Sequence, residues 1–245
     1  MKTRVYDDHA ALSRGAALAL AQAIGEKPDL NIVVATGSTP MDSYAELAAM
    51  QRRGEVNCRR LHVFQLDAYL DVADDDPRSL YGWMKRSFLD PLEIPDERVF
   101  RMDRGNADPQ RNCDAHAALV RARGGYDIAV LGLGPNGHLA FNEPPSMRDA
   151  PTRVVPLSEE SIVSNARYWG GRDRVPPLSV TAGMDLLLAA KTLMLLVSGE
   201  GKREILRRTM AGPVTPMVPS SYIRETARSL VLADKAALGE SLVHA

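Results

Sequence analysis

The feature that most constrains this chain is an apolar run, Tyr126-Asp-Ile-Ala-Val-Leu131, that ends abruptly in Gly132-Leu-Gly-Pro-Asn-Gly-His-Leu-Ala-Phe-Asn-Glu-Pro144. The run reads as a buried strand. Gly132, Gly134, Pro135 and Gly137 then forbid regular structure and let the backbone turn tightly. In an open parallel sheet, loops at the carboxyl ends of strands are where ligands bind. A lone loop histidine is more often structural than chemical. His138 is set apart by the glycines around it, by its end-of-strand position, and by Glu143 five residues on, with Asn136 two residues before.

The same grammar occurs earlier. Leu30-Asn-Ile-Val-Val-Ala35 reads as a buried strand, followed by Thr36-Gly-Ser-Thr-Pro40 and at once a helix with Met41, Tyr44, Leu47 and Met50 on its apolar stripe. Thr39 is expected as its N-cap and Pro40 as its first residue. Such a loop presents free backbone N–H groups and the positive end of a helix dipole, both suited to a phosphate, with hydroxyls from Thr36, Ser38 and Thr39. It lacks the Gly-Lys-Ser/Thr of a Walker loop and the G-x-G-x-x-G of a dinucleotide site, which disfavours ATP and NAD. An ordinary capped turn would look the same when taken alone.

Further elements follow in alternation. Strands are expected at Arg4–Tyr6, Leu61–Leu66, Val99–Met102, Thr192–Val197 and Ser229–Ala233, with shorter extended pieces at Thr152–Leu157 and Leu178–Thr181. Helices are expected from about His9 to Ile24 (capped by Asp7 or Asp8), Ser79–Phe88, Pro109–Arg123, Ser158–Tyr168, Met184–Ala190 and Lys202–Met210. A short helical piece is expected at Ser220–Arg224. Asp71–Asp76 reads as an acidic loop, and Ser79–Phe88 as a candidate flap over a site. The alternation predicts an α/β fold: one domain, 1–245, with a mostly parallel sheet covered by helices on both faces. Asp67, directly after the Leu61–Leu66 strand, is either a turn cap or a catalytic base held at the sheet's active edge. His62, inside that strand, reads as a packed or edge residue.

Composition narrows the chemistry. The 245 residues carry a formal net charge of −1, which gives no general attraction to nucleic acid or to an anionic membrane. No run is apolar enough to span a bilayer, and no signal peptide is visible. Cys58 and Cys113, beside Arg59 and Asp114 in polar surroundings, read as free thiols of a reducing cytoplasm. Cys and His show no metal-ligand spacing, so no metal is expected. Two cations could complete a phosphate site: Arg167 on a helix, and Lys202 at a helix start, where a cation is unfavourable unless an anion is near. Each alone is more simply a solvated charge. The set points to an anionic small molecule undergoing proton transfer.

Phe64-Gln-Leu-Asp-Ala-Tyr69, Leu133-Gly-Pro-Asn-Gly-His-Leu-Ala-Phe-Asn-Glu-Pro144, Ser164-Asn-Ala-Arg167 and Gly199-Glu-Gly-Lys202 occur in that order. Together they resemble the motifs of the glucosamine-6-phosphate deaminases, also called isomerases. The most specific piece is Gly-His-Leu-Ala-Phe-Asn-Glu-Pro, and the likeness runs from the first phosphate loop to the last strand. It implies a modified Rossmann-like fold shared with 6-phosphogluconolactonases and ribose-5-phosphate isomerases. It also implies conversion of glucosamine 6-phosphate and water to fructose 6-phosphate and ammonia, with no cofactor. By position, Asp67 matches the base that moves a proton between C2 and C1. His138 matches the group that opens the pyranose ring, and Glu143 the carboxylate supporting it. Thr36, Gly37, Ser38, Thr39, Arg167 and Lys202 match the phosphate pocket.

Three departures from the family pattern stand out. Asn136 replaces an aspartate of the catalytic set; its amide is expected to accept a hydrogen bond from the imidazole, leaving Glu143 to supply the charge. Ala68 replaces a glutamate after the base. Arg153 is present, but Val155 stands where an allosteric basic pair would place lysine, so no activation by N-acetylglucosamine 6-phosphate is expected. The rival readings rank behind the deaminase. They are an enzyme for another amino sugar phosphate such as galactosamine 6-phosphate, then a 6-phosphogluconolactonase (disfavoured by Phe141-Asn-Glu143), then a sugar-phosphate sensor. Sequence leaves the oligomeric state open, a homo-oligomer included.

Overall fold

The computed structural model describes residues 1–73, 75–102, 107–226 and 228–239. Ten strands are described: β1 (Lys2–Tyr6), β2 (Asn31–Val34), β3 (His62–Gln65), β4 (Asp67–Tyr69), β5 (Val99–Phe100), β6 (Ile128–Gly132), β7 (Arg153–Pro156), β8 (Leu178–Thr181), β9 (Thr192–Val197) and β10 (Ser229–Asp234). They are connected by helices α1 (His9–Glu26), α2 (Met41–Arg52), α3 (Leu80–Met84), α4 (Pro109–Ala122), α5 (Glu159–Trp169), α6 (Met184–Leu188), α7 (Arg203–Ala211) and α8 (Lys235–Leu238).

Seven strands form one sheet in the order β1-β10-β9-β6-β2-β3-β5, and every pairing in it is parallel. Because strand side chains alternate, each strand feeds both faces. Val33, Phe64, Ala129, Leu131, Leu193, Leu195 and Val231 enter one core. Ile32, Val34, Val63, Ile128, Val130, Met194 and Leu196 enter the other. A sheet covered on both sides needs runs apolar at every position, which is why these strands lack alternation in sequence.

The order reverses between β2 and β6. From β2 the chain winds outward through β3 to β5; from β6 it winds the other way through β9 and β10. Ligands of open α/β sheets sit beyond the carboxyl ends at such a switch point. The Thr36–Pro40 loop leaves β2 there and the glycine-rich loop leaves β6 beside it.

A second sheet, three-stranded and antiparallel, has the order β4-β8-β7. After β3 the chain leaves the large sheet at a single residue, Leu66, whose carbonyl accepts from the Ala182 amide at 2.8 Å. Asp67 therefore opens a strand rather than a turn. The sequence shows the short extended pieces at 152–157 and 178–181 but not that they pair with 67–69. Behind this sheet Tyr69, Leu80, Phe141, Val155, Leu157, Trp169 and Val175 form a third apolar cluster.

Local departures have local causes. Asp8 caps α1 by accepting from the Ala11 amide at 2.7 Å. Thr39, in contrast, does not cap α2: Pro40 holds that position with no side-chain hydrogen bond, and the helix starts one residue later than expected. Ser79 caps α3 through the Gly82 amide, but the helix continues after five residues as a π-helical turn, Lys85–Leu89. Asp74 of the acidic loop lies outside the described residues. Both cysteines are buried in the apolar cores rather than set in polar surroundings, and both are free. His62 is partly buried at the start of β3, its Nε2 3.1 Å from the Arg98 guanidinium. No helix among the described residues is long and apolar enough to cross a membrane.

Candidate active site

A cleft of about 200 Å³ opens at the switch point. Its lining brings together Thr36–Pro40 from the end of β2, Asp67 from β4, Gly132–Pro135 and His138 from the end of β6, Arg167 from α5, and Lys202 from the turn before α7. Sequence distances of more than 160 residues collapse here onto one edge of the sheet.

The Thr36–Pro40 loop is fixed from both sides. The Ala35 amide extends the ladder to Val130, donating to its carbonyl at 2.9 Å. The buried Tyr44 hydroxyl, one turn into α2, donates to the Ala35 carbonyl at 2.9 Å. Since no side chain caps α2, the amides of its first turn and the positive end of its dipole are left to the cleft. Gly37 turns the loop at φ 126°, a region that side chains with a Cβ rarely enter.

Facing the loop are two cations. Lys202 is partly buried, and its Nζ donates to the Leu133 carbonyl at 2.6 Å. Burial, and then the charge of Arg167, push its pKa down. Arg167 is more exposed; it stacks on the Tyr168 ring at 4.6 Å and donates to the Tyr168 hydroxyl at 2.6 Å. Among the described residues neither cation has a carboxylate partner. Two cations that repel each other beside uncapped amides would be relieved by an anion.

Asp67 is the buried carboxylate of the cleft. Burial alone pushes its pKa up to about 7. Its position is set by β8, where Thr181 is its cross-strand partner. The Thr181 hydroxyl also accepts from the Phe141 amide at 3.0 Å. Asn142, fully buried, donates to the carbonyls of Leu139 at 2.9 Å and Ala182 at 2.8 Å. One strand thus locates both the aspartate and the histidine loop.

The imidazole of His138 packs against Gly134, where an added Cβ would overlap the ring at Cδ2 and Nε2. Its Nδ1 is 2.9 Å from Glu143 Oε2, so Nε2 is the nitrogen left for the cleft. Glu143 also accepts from the Ser161 hydroxyl, and from the Asn136 amide at 2.7 Å. Burial pushes the Glu143 carboxyl up, but the hydrogen bond and charge of His138, with Ser161 and Asn136, outweigh it and hold the group at about 2. Asn136 does not bond the imidazole as expected. Its Nδ2 donates to Glu143, and its Oδ1 accepts from the His138 backbone amide at 3.2 Å. The reason is the tight loop, closed by hydrogen bonds from the Gly134 amide to the His138 carbonyl and from the Gly137 amide to the Gly134 carbonyl, which brings Asn136 Oδ1 to the His138 backbone amide while the ring packs against Gly134. Asn136 and Glu143 stand behind the histidine; neither is among the residues lining the cleft.

Ser161, Tyr168 and Trp83 were not singled out by sequence. Ser161 stands one turn into α5, three residues after its cap Ser158, and only the docking of α5 brings it to Glu143. Trp83 packs edge-on against Tyr168 at 5.0 Å, so the Ser79–Phe88 segment does wall the cleft.

Residues 7–232 match the model of a family described as glucosamine-6-phosphate isomerases/6-phosphogluconolactonase. A glucosamine-6-phosphate deaminase of Halothermothrix orenii is 34% identical over 237 residues, covering 97% of this chain and 98% of that protein. The corresponding protein of Streptomyces avermitilis is 37% identical over 220 residues, 89% of this chain and 84% of its own length. A solved monomeric glucosamine-6-phosphate deaminase superposes with TM-score 0.93 at 32% identity, over 97% of this chain and 98% of that one. A 6-phosphogluconolactonase of Trypanosoma brucei, with TM-score 0.75 at 20% identity over 96% and 97% of the two chains, shares the fold. The chain belongs to the glucosamine-6-phosphate isomerase/6-phosphogluconolactonase family.

Proposed function

We propose that this protein is a glucosamine-6-phosphate deaminase, releasing ammonia and fructose 6-phosphate from glucosamine 6-phosphate and water. The observation that carries the reading is one cleft in which a buried carboxylate and a carboxylate-oriented imidazole face an uncapped helix start and two cations that have no carboxylate partner among the described residues. The α2 amides with Arg167 and Lys202 hold the phosphate, and that remote binding energy aligns the reacting carbons. His138 Nε2 relays the proton of the anomeric hydroxyl to the ring oxygen as the bond from C1 to the ring oxygen breaks, and the pyranose opens to the aldehyde. Asp67 takes the proton from C2 and returns it to C1. With one proton gained by the aldehyde oxygen and one given up by the amine, this leaves an imine at C2, which water hydrolyses to the ketone with loss of ammonia. A carboxylate poised at about 7 is matched to proton abstraction near neutrality. The Asp67 carboxylate accepts no hydrogen bond among the described residues (the Gln65 side-chain amide donates to the Asp67 backbone carbonyl instead, at 3.1 Å), so its charge is directed at the substrate. Every group in this scheme comes from one chain.

The test is ammonia release from glucosamine 6-phosphate by the purified protein, with galactosamine 6-phosphate and Asp67→Asn in parallel. Release that prefers the gluco sugar and disappears in Asp67→Asn is expected. Hydrolysis of 6-phosphogluconolactone without ammonia release from either amino sugar would overturn the reading.

A further inference from the structure

Outside the cleft, His9 at the start of α1 joins two elements that build its phosphate end. Its Nε2 is 3.1 Å from Asp42 Oδ2, and Asp42 is the second residue of α2. Its Nδ1 is 3.1 Å from the hydroxyl of Ser198, which opens the turn carrying Lys202. The Ser198 hydroxyl is itself committed, donating to Asp234 Oδ2 at 2.5 Å. Asp234 is buried at the end of β10, where it also receives the Gly199 amide at 3.1 Å and caps α8 through the Ala237 amide at 2.7 Å.

The hydrogens can be assigned by elimination. Ser198 has one proton, and Asp234 takes it; so at Nδ1 the imidazole must donate. Asp42 is acceptor-only, so at Nε2 it must donate again. Both contacts are made together only by the imidazolium. Asp42 lies in the first turn of α2, the helix whose amino end faces the cleft, where its negative charge opposes a bound phosphate. His9 cancels that charge and ties the start of α2 to the Lys202 turn. The other charges near it are accounted for: Asp8 caps its own helix, Asp7 pairs with Lys235 at 2.5 Å, and Glu200 with Arg203 at 3.3 Å.

We propose that His9 is a positioning residue of the phosphate pocket, acting through Asp42 and Ser198 to hold and charge-balance it only while the imidazole is protonated. This rests on the phosphate site of the preceding section but not on turnover. The experiment therefore measures both KM for glucosamine 6-phosphate and calorimetric binding of glucose 6-phosphate, which needs no deamination. Wild type is compared with His9→Gln at about pH 6 and about pH 8.5. These values span the range in which imidazoles in general change charge, and the substrate's own ionisation cancels in the ratio. The expected weakening in His9→Gln is about fivefold at the lower pH and under about twofold at the higher, with kcat changed less than KM. In an Asp42→Asn background the effect of His9→Gln should shrink further. A ratio independent of pH, or equal affinities at both, would overturn the proposal, since a merely structural histidine gives the first and an idle one the second. Failure of ammonia release with the binding ratios as expected would overturn the deaminase reading and leave this one standing.

Discussion

Asp67→Asn removes a charge from a site where burial alone disfavours it, and so is expected to stabilise the fold while abolishing turnover. The carboxyl moves from 3.8 in the unfolded chain to about 7 in the fold. Between those values the folded state holds a proton that the unfolded chain has lost, so each rise in pH through the window costs stability. The penalty is absent below 3.8 and complete above about 7. A shift of about 3 pH units corresponds to as much as ~4 kcal/mol. For a chain of this length that is roughly 10 °C in melting temperature. Asparagine is nearly isosteric and never charges. The assay is thermal unfolding of both proteins at about pH 4 and about pH 8, alongside ammonia release. The variant should melt higher at the alkaline pH, match wild type at the acid one, and lose turnover. Equal melting at alkaline pH, or a gap that does not change with pH, would refute the desolvation argument. The same ionisation predicts that kcat/KM of the wild type falls as pH drops through about 7, because the base is then protonated.

Three further perturbations probe the surroundings. Gly134→Ala places a methyl group inside the His138 ring's position, so kcat should fall at least ~100-fold while KM changes little; a fully active variant would show that the ring need not lie there. Asn136→Asp sets a second carboxylate where an amide now donates to Glu143 at 2.7 Å, and two carboxylates so close hold one proton between them. The pH–rate profile should shift by about one unit; an unchanged profile would refute the charge assignment. Arg153 is spent on Asn142 Oδ1 at 2.8 Å, the Pro151 carbonyl at 3.0 Å and Ser146 at 3.1 Å, and Val155 is buried. The saturation curve should therefore be unmoved by N-acetylglucosamine 6-phosphate, and Arg153→Ala should cost ~1–3 kcal/mol in denaturant unfolding by orphaning a buried acceptor.

Much of the fold was legible because buried parallel strands announce themselves. Runs such as Asn31–Val34 and Thr192–Val197 are apolar at nearly every position, and a glycine-containing turn of small residues follows each within a few positions. The antiparallel sheet was not legible, because β4 has three residues and its partner β8 lies more than 100 residues away. Three residues carry no period to read. The cleft was legible as separate parts: two loops at strand ends, an aspartate, a histidine with a glutamate, and two cations.

What the sequence determined by itself is the inventory and its chemistry: which loops turn, which stretches are helical, and which groups can accept or donate protons. Loop conformation and strand burial are decided within a few residues, so they survive in one dimension. What only the tertiary structure decided is the pairing and the electrostatics. That Asn136 serves Glu143 rather than the His138 ring follows from how the loop folds on itself; that Ser161 joins them and that Asp67 is raised to about 7 depend on how the second sheet and α5 close over the first. Desolvation and hydrogen-bond partners are properties of what surrounds a group, and the surroundings are made of residues that are remote along the chain.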